Sequence, residues 1–203
     1  MIEDPGCDCH VGLAFALGPR RGTLDLVPKP VTVGLLADTH GVLDPRVLDA
    51  LQRCDVIVHA GDVGSAVVLD ALATITADLY AVVGNNDVAH KWVGSSRALA
   101  RLVDQHALAL PGGTLAVRHG HRVLPAGRRH ERLRALHPDA RAIVYGHSHR
   151  RVVDDKRRPW VLNPGAAGRA RTFGGPSALR LRAGVRVWRV EPIVFDAHAP
   201  RSP

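Results

Sequence analysis

Val31-Thr32-Val33-Gly34-Leu35-Leu36-Ala37 is a short, β-branched, largely apolar run that follows Pro28-Lys29-Pro30 and ends on Asp38-Thr39-His40. Such a run, bounded by turn chemistry, reads as a buried strand. The arrangement recurs twice. Val56-Ile57-Val58-His59 leads into Gly61-Asp62, and Leu79-Tyr80-Ala81-Val82-Val83 leads into Gly84-Asn85-Asn86-Asp87. Helical patterns lie between: Asp44 caps one, with Pro45 in its first turn and Val47, Leu48 and Leu51 on its apolar face, and residues 66–75 form another. Strand–helix–strand–helix–strand order implies parallel pairing with right-handed crossovers.

The second half is richer in short strands, at residues 106–110, 115–119, 143–145, 152–154, 160–162, 178–181 and 185–190. Gly112-Gly113 and Ala183-Gly184 read as hairpin turns, and one helix falls around residues 128–136. The expected fold is α/β: a four-layer α-β-β-α sandwich of two facing mixed β-sheets flanked by helices. Residues 1–29 read as an N-terminal extension, 30–195 as the domain and 196–203 as a C-terminal tail.

A chain of 203 residues is long enough for one well-buried core. No window holds eighteen uninterrupted apolar residues, so no helical membrane span is expected. The apolar stretch 11–17 is short and follows Glu3, Asp4 and Asp8 without a basic region, so no signal peptide is expected and the cytoplasm is the default location. Cys7, Cys9 and His10 form a tight C-x-C-H cluster with no second ligand pair, which reads as part of a loose extension rather than a zinc site. Net charge is +8, enough to attract nucleic acid or other phosphate-bearing partners, but aromatic residues make up only 4%, which leaves little to stack on single strands. No G-x-S-x-G elbow is present to support a serine hydrolase.

Chemistry-bearing residues collect where open α/β sheets place ligand sites, just beyond the carboxyl ends of strands. Besides Asp38-Thr39-His40, Gly61-Asp62 and Gly84-Asn85-Asn86-Asp87, later strands end in His119-Gly120-His121 and Gly146-His147-Ser148-His149. One Asp or His at a strand end is usually a turn former or a cap. Five such ends, each beside glycine or another small residue, are hard to explain that way. Carboxylate, imidazole and amide oxygen together suit borderline first-row metals, and the lack of nearby thiolates argues against a closed structural zinc site. Two metals about 3.5–4 Å apart, bridged by a carboxylate, would clamp a phosphate and acidify a bound water.

In this order the D-T-H, G-D, G-N-N-D, H-G-H and G-H-S-H motifs resemble those of the calcineurin-like metallophosphoesterases, most closely the small bacterial and archaeal phosphodiesterases of the YfcE type. The resemblance covers about residues 31–192 and includes the Asn163-Pro164-Gly165 turn. It implies that Asp38, His40, Asp62 and His149 hold one metal, and that Asp62, Asn85, His119 and His147 hold the other, with Asp62 bridging. It also implies two divalent transition-metal ions, manganese foremost with nickel, iron or zinc as alternatives, and hydrolysis of a phosphodiester by a metal-bound hydroxide in line with the departing oxygen. Small phosphate esters or cyclic nucleotides are the expected substrates, and self-association is open.

Asn86 stands where many members of the wider family carry His. An amide can orient a phosphate oxygen but cannot donate a proton as imidazolium does. His121 is then the candidate acid, because H-x-H on a strand puts it on the face of His119. His59 reads as a support for the bridging Asp62 rather than a ligand, and Asp87 as a loop anchor. Arg128, Arg129, Arg132 and Arg134 read as a solvated helix face. Two rival readings remain: a non-catalytic protein-binding scaffold, such as the retromer subunit of this fold, and a nucleic-acid binder supported only by charge. All seven ligand positions hold usable donors, which counts against a scaffold.

Overall fold

A computed structural model describes residues 28–76, 78–169 and 171–197. The Cys7/Cys9/His10 cluster, most of the expected 1–29 extension and the last six residues of the C-terminal tail lie outside these. Among the described residues, ten strands form two five-stranded sheets. In the first, β1 (Val31–Leu36), β2 (Val56–His59) and β3 (Asp78–Ala81) run parallel, and β9 (Ser177–Ala183) and β10 (Trp188–Val194) are added antiparallel in the order β10-β9-β1-β2-β3. The second contains β4 (Gln105–Leu110), β5 (Gly113–Arg118), β6 (Ala142–Val144), β7 (Val152–Asp154) and β8 (Trp160–Asn163) in the order β4-β5-β6-β8-β7. Its central strands β5, β6 and β8 are parallel and its outer pairs antiparallel.

The apolar runs are continuous because the sheets are covered on both faces. Leu35, Val58, Val117, Val144, Leu162 and Leu179 fill the space between the sheets. Their neighbours point the other way. Leu36, Ile57 and Ala178 pack outward with residues of α1 (Pro45–Leu51) and α2 (Ala66–Ala73), while Ala116, Ile143 and Val161 pack with Leu133 of α4 (Arg129–Leu136). The result is the expected α-β-β-α layering. Asp44 caps α1 by accepting from the Arg46 amide at 3.0 Å, with Pro45 in the first turn.

Three details differ from expectation. A short helix, α3 (Ser96–Ala100), follows β3. The last strand begins at Trp188 rather than at 185, because Gly184 N–H donates to Val187 O (3.0 Å) and the turn takes up Val185 and Val187. The arginine run of α4 is only partly solvated: Arg128 and Arg132 are exposed, whereas Arg129 and Arg134 are buried. Arg134 Nε donates to Pro159 O at 2.8 Å and its Nη2 pairs with Asp154 at 2.7 Å, a group on β7.

Arg141 ties the sheets together at the end opposite the strand-end motifs. It donates to Gly112 O (2.7 Å) in the β4–β5 turn and to Arg186 O (2.8 Å) in the β9–β10 turn, and its guanidinium lies 4.9 Å from the Trp188 ring centroid. Arg141→Met leaves two part-buried turn hydrogen bonds, to the Gly112 and Arg186 carbonyls, without their donor. The expected loss is about 2–3 kcal/mol, from hydrogen bonds to a charged group, read as a lower urea midpoint with unchanged m-value.

Candidate metal centre

The seven expected donor residues leave the carboxyl ends of five parallel strands. Asp38 and His40 follow β1, Asp62 follows β2, Asn85 follows β3, His119 follows β5, and His147 and His149 follow β6. Among the described residues six non-glycines have positive φ, and five of them are Asp38 (54°), His40 (48°), Asp62 (54°), His147 (69°) and His149 (56°). A left-handed residue with a Cβ costs about 1–2 kcal/mol, so the surrounding bonds must hold it there.

Those bonds lace the loops together. His40 N–H donates to Asp62 O (2.9 Å) and Gly41 N–H to Val63 O (2.7 Å), joining the first loop to the second. Asp87 joins the third to the second, accepting from the amides of Gly64 and Gly84, each at 2.8 Å. Across the sheets, His147 N–H donates to Asp38 Oδ1 (3.1 Å), and within the second sheet Gly146 N–H donates to His119 O (3.1 Å). Asn163, from the Asn-Pro-Gly turn, donates to Gly146 O and Ser148 Oγ at 2.9 and 3.1 Å and steadies the loop that carries both histidines.

One donor atom from each of Asp38, His40, Asp62 and His149 lies within 4.8 Å of the other three. His40 Nε2 and His149 Nε2 face each other at 3.1 Å. Burial lowers the pKa of both rings, which favours neutral imidazoles with lone pairs to offer. Asp38 is fully buried, its Oδ2 has no hydrogen-bond partner, and burial pushes its carboxyl up to about 7. An orphaned carboxylate oxygen beside two such imidazoles fits a divalent cation.

A second set meets the first at Asp62. His119 Nε2 lies 3.4 Å from Asp62 Oδ2 and 3.2 Å from Asn85 Oδ1, and His147 Nδ1 lies 3.0 Å from the same amide oxygen. His119 Nδ1 sits 2.8 Å from Ala60 O, a pure acceptor, so Nδ1 carries a proton and Nε2 is the atom turned to Asp62. Burial opposes charge on both His119 and Asp62. Their mutual contact outweighs it, raising the histidine and bringing the carboxylate below its usual range, with the Asn86 bonds helping. Burial and the His119 charge push His147 down to about 4.

The model of the calcineurin-like phosphoesterase superfamily domain matches residues 31–183. The chain belongs to this superfamily. It is 31% identical over 150 residues to a probable metallophosphoesterase of Methanocaldococcus jannaschii, covering 71% of this chain and 72% of that one. It is 23% identical over 145 residues to a phosphodiesterase of the same archaeon, covering 66% of this chain and 82% of that one. In fold it resembles vacuolar protein sorting 29 of Cryptosporidium parvum, with TM-score 0.65 and 21% identity over 83% of this chain and 100% of that one. Among the described residues no helix is long and apolar enough to cross a membrane.

In this calcineurin-like phosphoesterase Asn86 is engaged on both sides. Its amide N–H donates to Asp62 Oδ1 and its Nδ2 to Asp62 Oδ2, both at 2.8 Å, while its Oδ1 accepts from Lys91 Nζ at 2.8 Å. His121 lies with its ring centroid 5.4 Å from that of His119 and 6.3 Å from that of His147, and its buried Nδ1 has no partner. Burial, then the His119 charge, lowers its pKa, so proton donation from His121 needs a negative charge beside it. The sequence motifs did not single out Lys91 or Arg171. The first had a faint signal, standing five residues after Asn86. Arg171, the sixth positive-φ residue (52°), places its charge near Asp38, His40 and His149, and no spacing announces it.

His59 supports Thr39 rather than the Asp62 side chain. Its Nε2 lies 2.9 Å from Thr39 Oγ1, and that hydroxyl donates its one proton to Val63 O at 2.9 Å. His59 must therefore be the donor, a neutral ring protonated on Nε2. Burial, with the His119 charge, pushes its pKa down to about 3. An unfolded histidine takes its proton near 6.5. The folded state resists that proton, so this contribution to stability is complete above pH 6.5 and is lost as pH falls towards 3. Asp38, raised to about 7, works the opposite way between pH 7 and 4 in the metal-free protein. The two are separated by comparison with His59→Gln, whose amide can still donate to Thr39. Between roughly pH 6 and 4 the wild type should lose stability faster by up to about 1.4 kcal/mol per pH unit. Urea titrations in chelator that give parallel pH slopes would contradict this.

Proposed function

We propose that this protein is a two-metal phosphodiesterase. Asp38, His40, Asp62 and His149 hold one divalent cation, Asp62, Asn85, His119 and His147 hold the other, and manganese leads nickel, iron and zinc as the resident ion. The observation that carries the reading is the meeting of the two donor sets at one buried carboxylate, with His40 Nε2 3.8 Å and His119 Nε2 3.4 Å from Asp62 Oδ2. Bound there, the ions supply Lewis acidity to the phosphoryl oxygens and make a water acidic enough to attack near neutral pH. On this reading the seven donors stand on loops cross-linked by hydrogen bonds, and Asn86 and His121 would face the substrate. Small phosphate diesters and cyclic nucleotides are the expected substrates, and the cytoplasm the expected location. The M. jannaschii phosphodiesterase similarity supports this class.

The likeness to vacuolar protein sorting 29 favours one other reading, a protein-binding scaffold. All seven donors are present here, which weighs against it. The deciding experiment strips the protein of metal, reloads it with Mn²⁺, Ni²⁺, Fe²⁺ or Zn²⁺, and assays bis-p-nitrophenyl phosphate beside p-nitrophenyl phosphate. Two ions per chain and metal-dependent turnover of the diester are expected. Full metal occupancy without turnover of any ester would leave the scaffold.

A further inference from the structure

Residues 88–92 form a single helical turn after the metal-site loop. Val88 N–H donates to Asn86 O (3.0 Å), and Lys91 N–H and Trp92 N–H donate to Val88 O (2.9 and 3.0 Å). Trp92 packs against the outer core and its Nε1 donates to Ser95 O at 3.0 Å, so the backbone at position 91 is anchored while the Lys91 side chain is exposed. That side chain turns back to the site and donates to Asn86 Oδ1 at 2.8 Å. Asn86 in turn donates to both oxygens of Asp62. The ammonium therefore stands one side chain away from the carboxylate shared by the two donor sets. Among the described residues no carboxylate oxygen pairs with it within 4.0 Å. Its present partner is a neutral amide oxygen, which an anionic phosphate outcompetes.

The chain also uses lysine sparingly: three of its 27 basic residues, Lys29, Lys91 and Lys156, are lysine. A lysine is a compact point charge on a flexible stem, able to follow a single oxygen whose charge changes, where an arginine fork prefers two at once. We infer that Lys91 contacts the substrate and stabilises the leaving oxygen of the phosphodiester, a role that the neutral amide of Asn86 fills poorly. This rests on the phosphoesterase reading above. In the step, the bond from phosphorus to the attacking water oxygen forms as that water gives a proton to solvent, and the bond to the leaving oxygen breaks with its electron pair on that oxygen, which then takes a proton from solvent. Lys91 remains an ammonium throughout and gains strength as a hydrogen-bond donor while the charge grows. The ligand class that follows is a phosphodiester whose leaving group is an unactivated alkoxide, such as a ribose oxygen, rather than only an aryl ester.

The test uses Lys91→Met, which keeps length and loses charge, and Lys91→Arg, which keeps a cation. The substrates are p-nitrophenyl, p-chlorophenyl and phenyl esters of methyl phosphate. Metal per chain, measured by elemental analysis, and thermal midpoint should match the wild type in both variants, because Lys91 is exposed and belongs to neither donor set. Binding of inorganic phosphate to the metal-loaded protein, followed by calorimetry, should weaken in Lys91→Met. Loss of kcat/KM in Lys91→Met should grow as the leaving phenol becomes less acidic, reaching about 10²–10³-fold for the phenyl ester, in the range for removing one donor aimed at developing charge. Lys91→Arg should recover most of it. A loss equal across the three esters, or none, with an active wild type overturns the inference and leaves the phosphodiesterase reading intact. A metal-loaded wild type inert towards all three overturns both.

Discussion

Asp62→Asn is expected to empty most of the metal centre and to lower activity by more than the roughly 10–100-fold that changes to the partners of metal ligands typically cause. The carboxylate sits between His40 and His119, 3.8 and 3.4 Å from their Nε2 atoms, and both its oxygens already accept from Asn86. On the two-metal reading, an amide there would offer one neutral oxygen where two cations need a shared anion, and its NH2 would face a donor from Asn86 in place of an acceptor. Elemental analysis should find well below two ions per chain. His147→Ala is the contrast. The His147 side chain meets only Asn85 among the expected ligands within hydrogen-bond distance, and its bond to Asp38 is made by the backbone N–H that alanine keeps, so its loss should deplete one ion and leave Asp38, His40, Asp62 and His149 able to hold the other. Equal metal content in the wild type and Asp62→Asn would remove Asp62 from its place between two ions.

The first sheet and the site positions were legible because burial on both faces forces continuous apolar runs, and the residues after those runs are the ones a parallel sheet delivers to one edge. Val33 to Leu36 and Ile57-Val58 show this, with successive side chains in the inner and outer cores. The last strand was misplaced for a local reason. Val185 and Val187 look like strand residues but lie 42% and 58% exposed in a turn. Pro192 hides the true extent, yet β10 is an edge strand and tolerates a residue without an N–H. The arginine run of α4 misled because the groups that bury Arg134, Pro159 O and Asp154, are supplied 20 to 25 residues further along the chain. Lys91 is hidden in the sequence for a similar reason. Its role depends on one helical turn at residues 88–92 that brings an exposed residue back to Asn86, and nothing in the periodicity marks that turn.

Asn86→His is expected to raise activity on alkyl phosphomonoesters, where a proton for the departing oxygen matters most. A diester with an aryl leaving group, or a strained cyclic nucleotide, depends less on proton donation. A singly charged diester also gains less from a cationic imidazole than a dianionic monoester does. The wild type should therefore favour diesters over monoesters. General acid help is typically worth about 10²–10⁴-fold, and the gain falls in that range if the new imidazole reaches the leaving oxygen. The Asn86 side chain spans from Asp62 Oδ2 to Lys91 Nζ, so a ring at this position lies between an anion that favours its protonated form and a cation that opposes it. The gain should accordingly grow as pH falls through about 6.5, the ordinary range of imidazole, and should be larger when combined with Lys91→Met. Values of kcat/KM for matched alkyl mono- and diesters across pH, in both proteins, measure it. A wild type that already prefers alkyl monoesters would show that His121 or a water in the site supplies the proton, and the substitution would then add nothing.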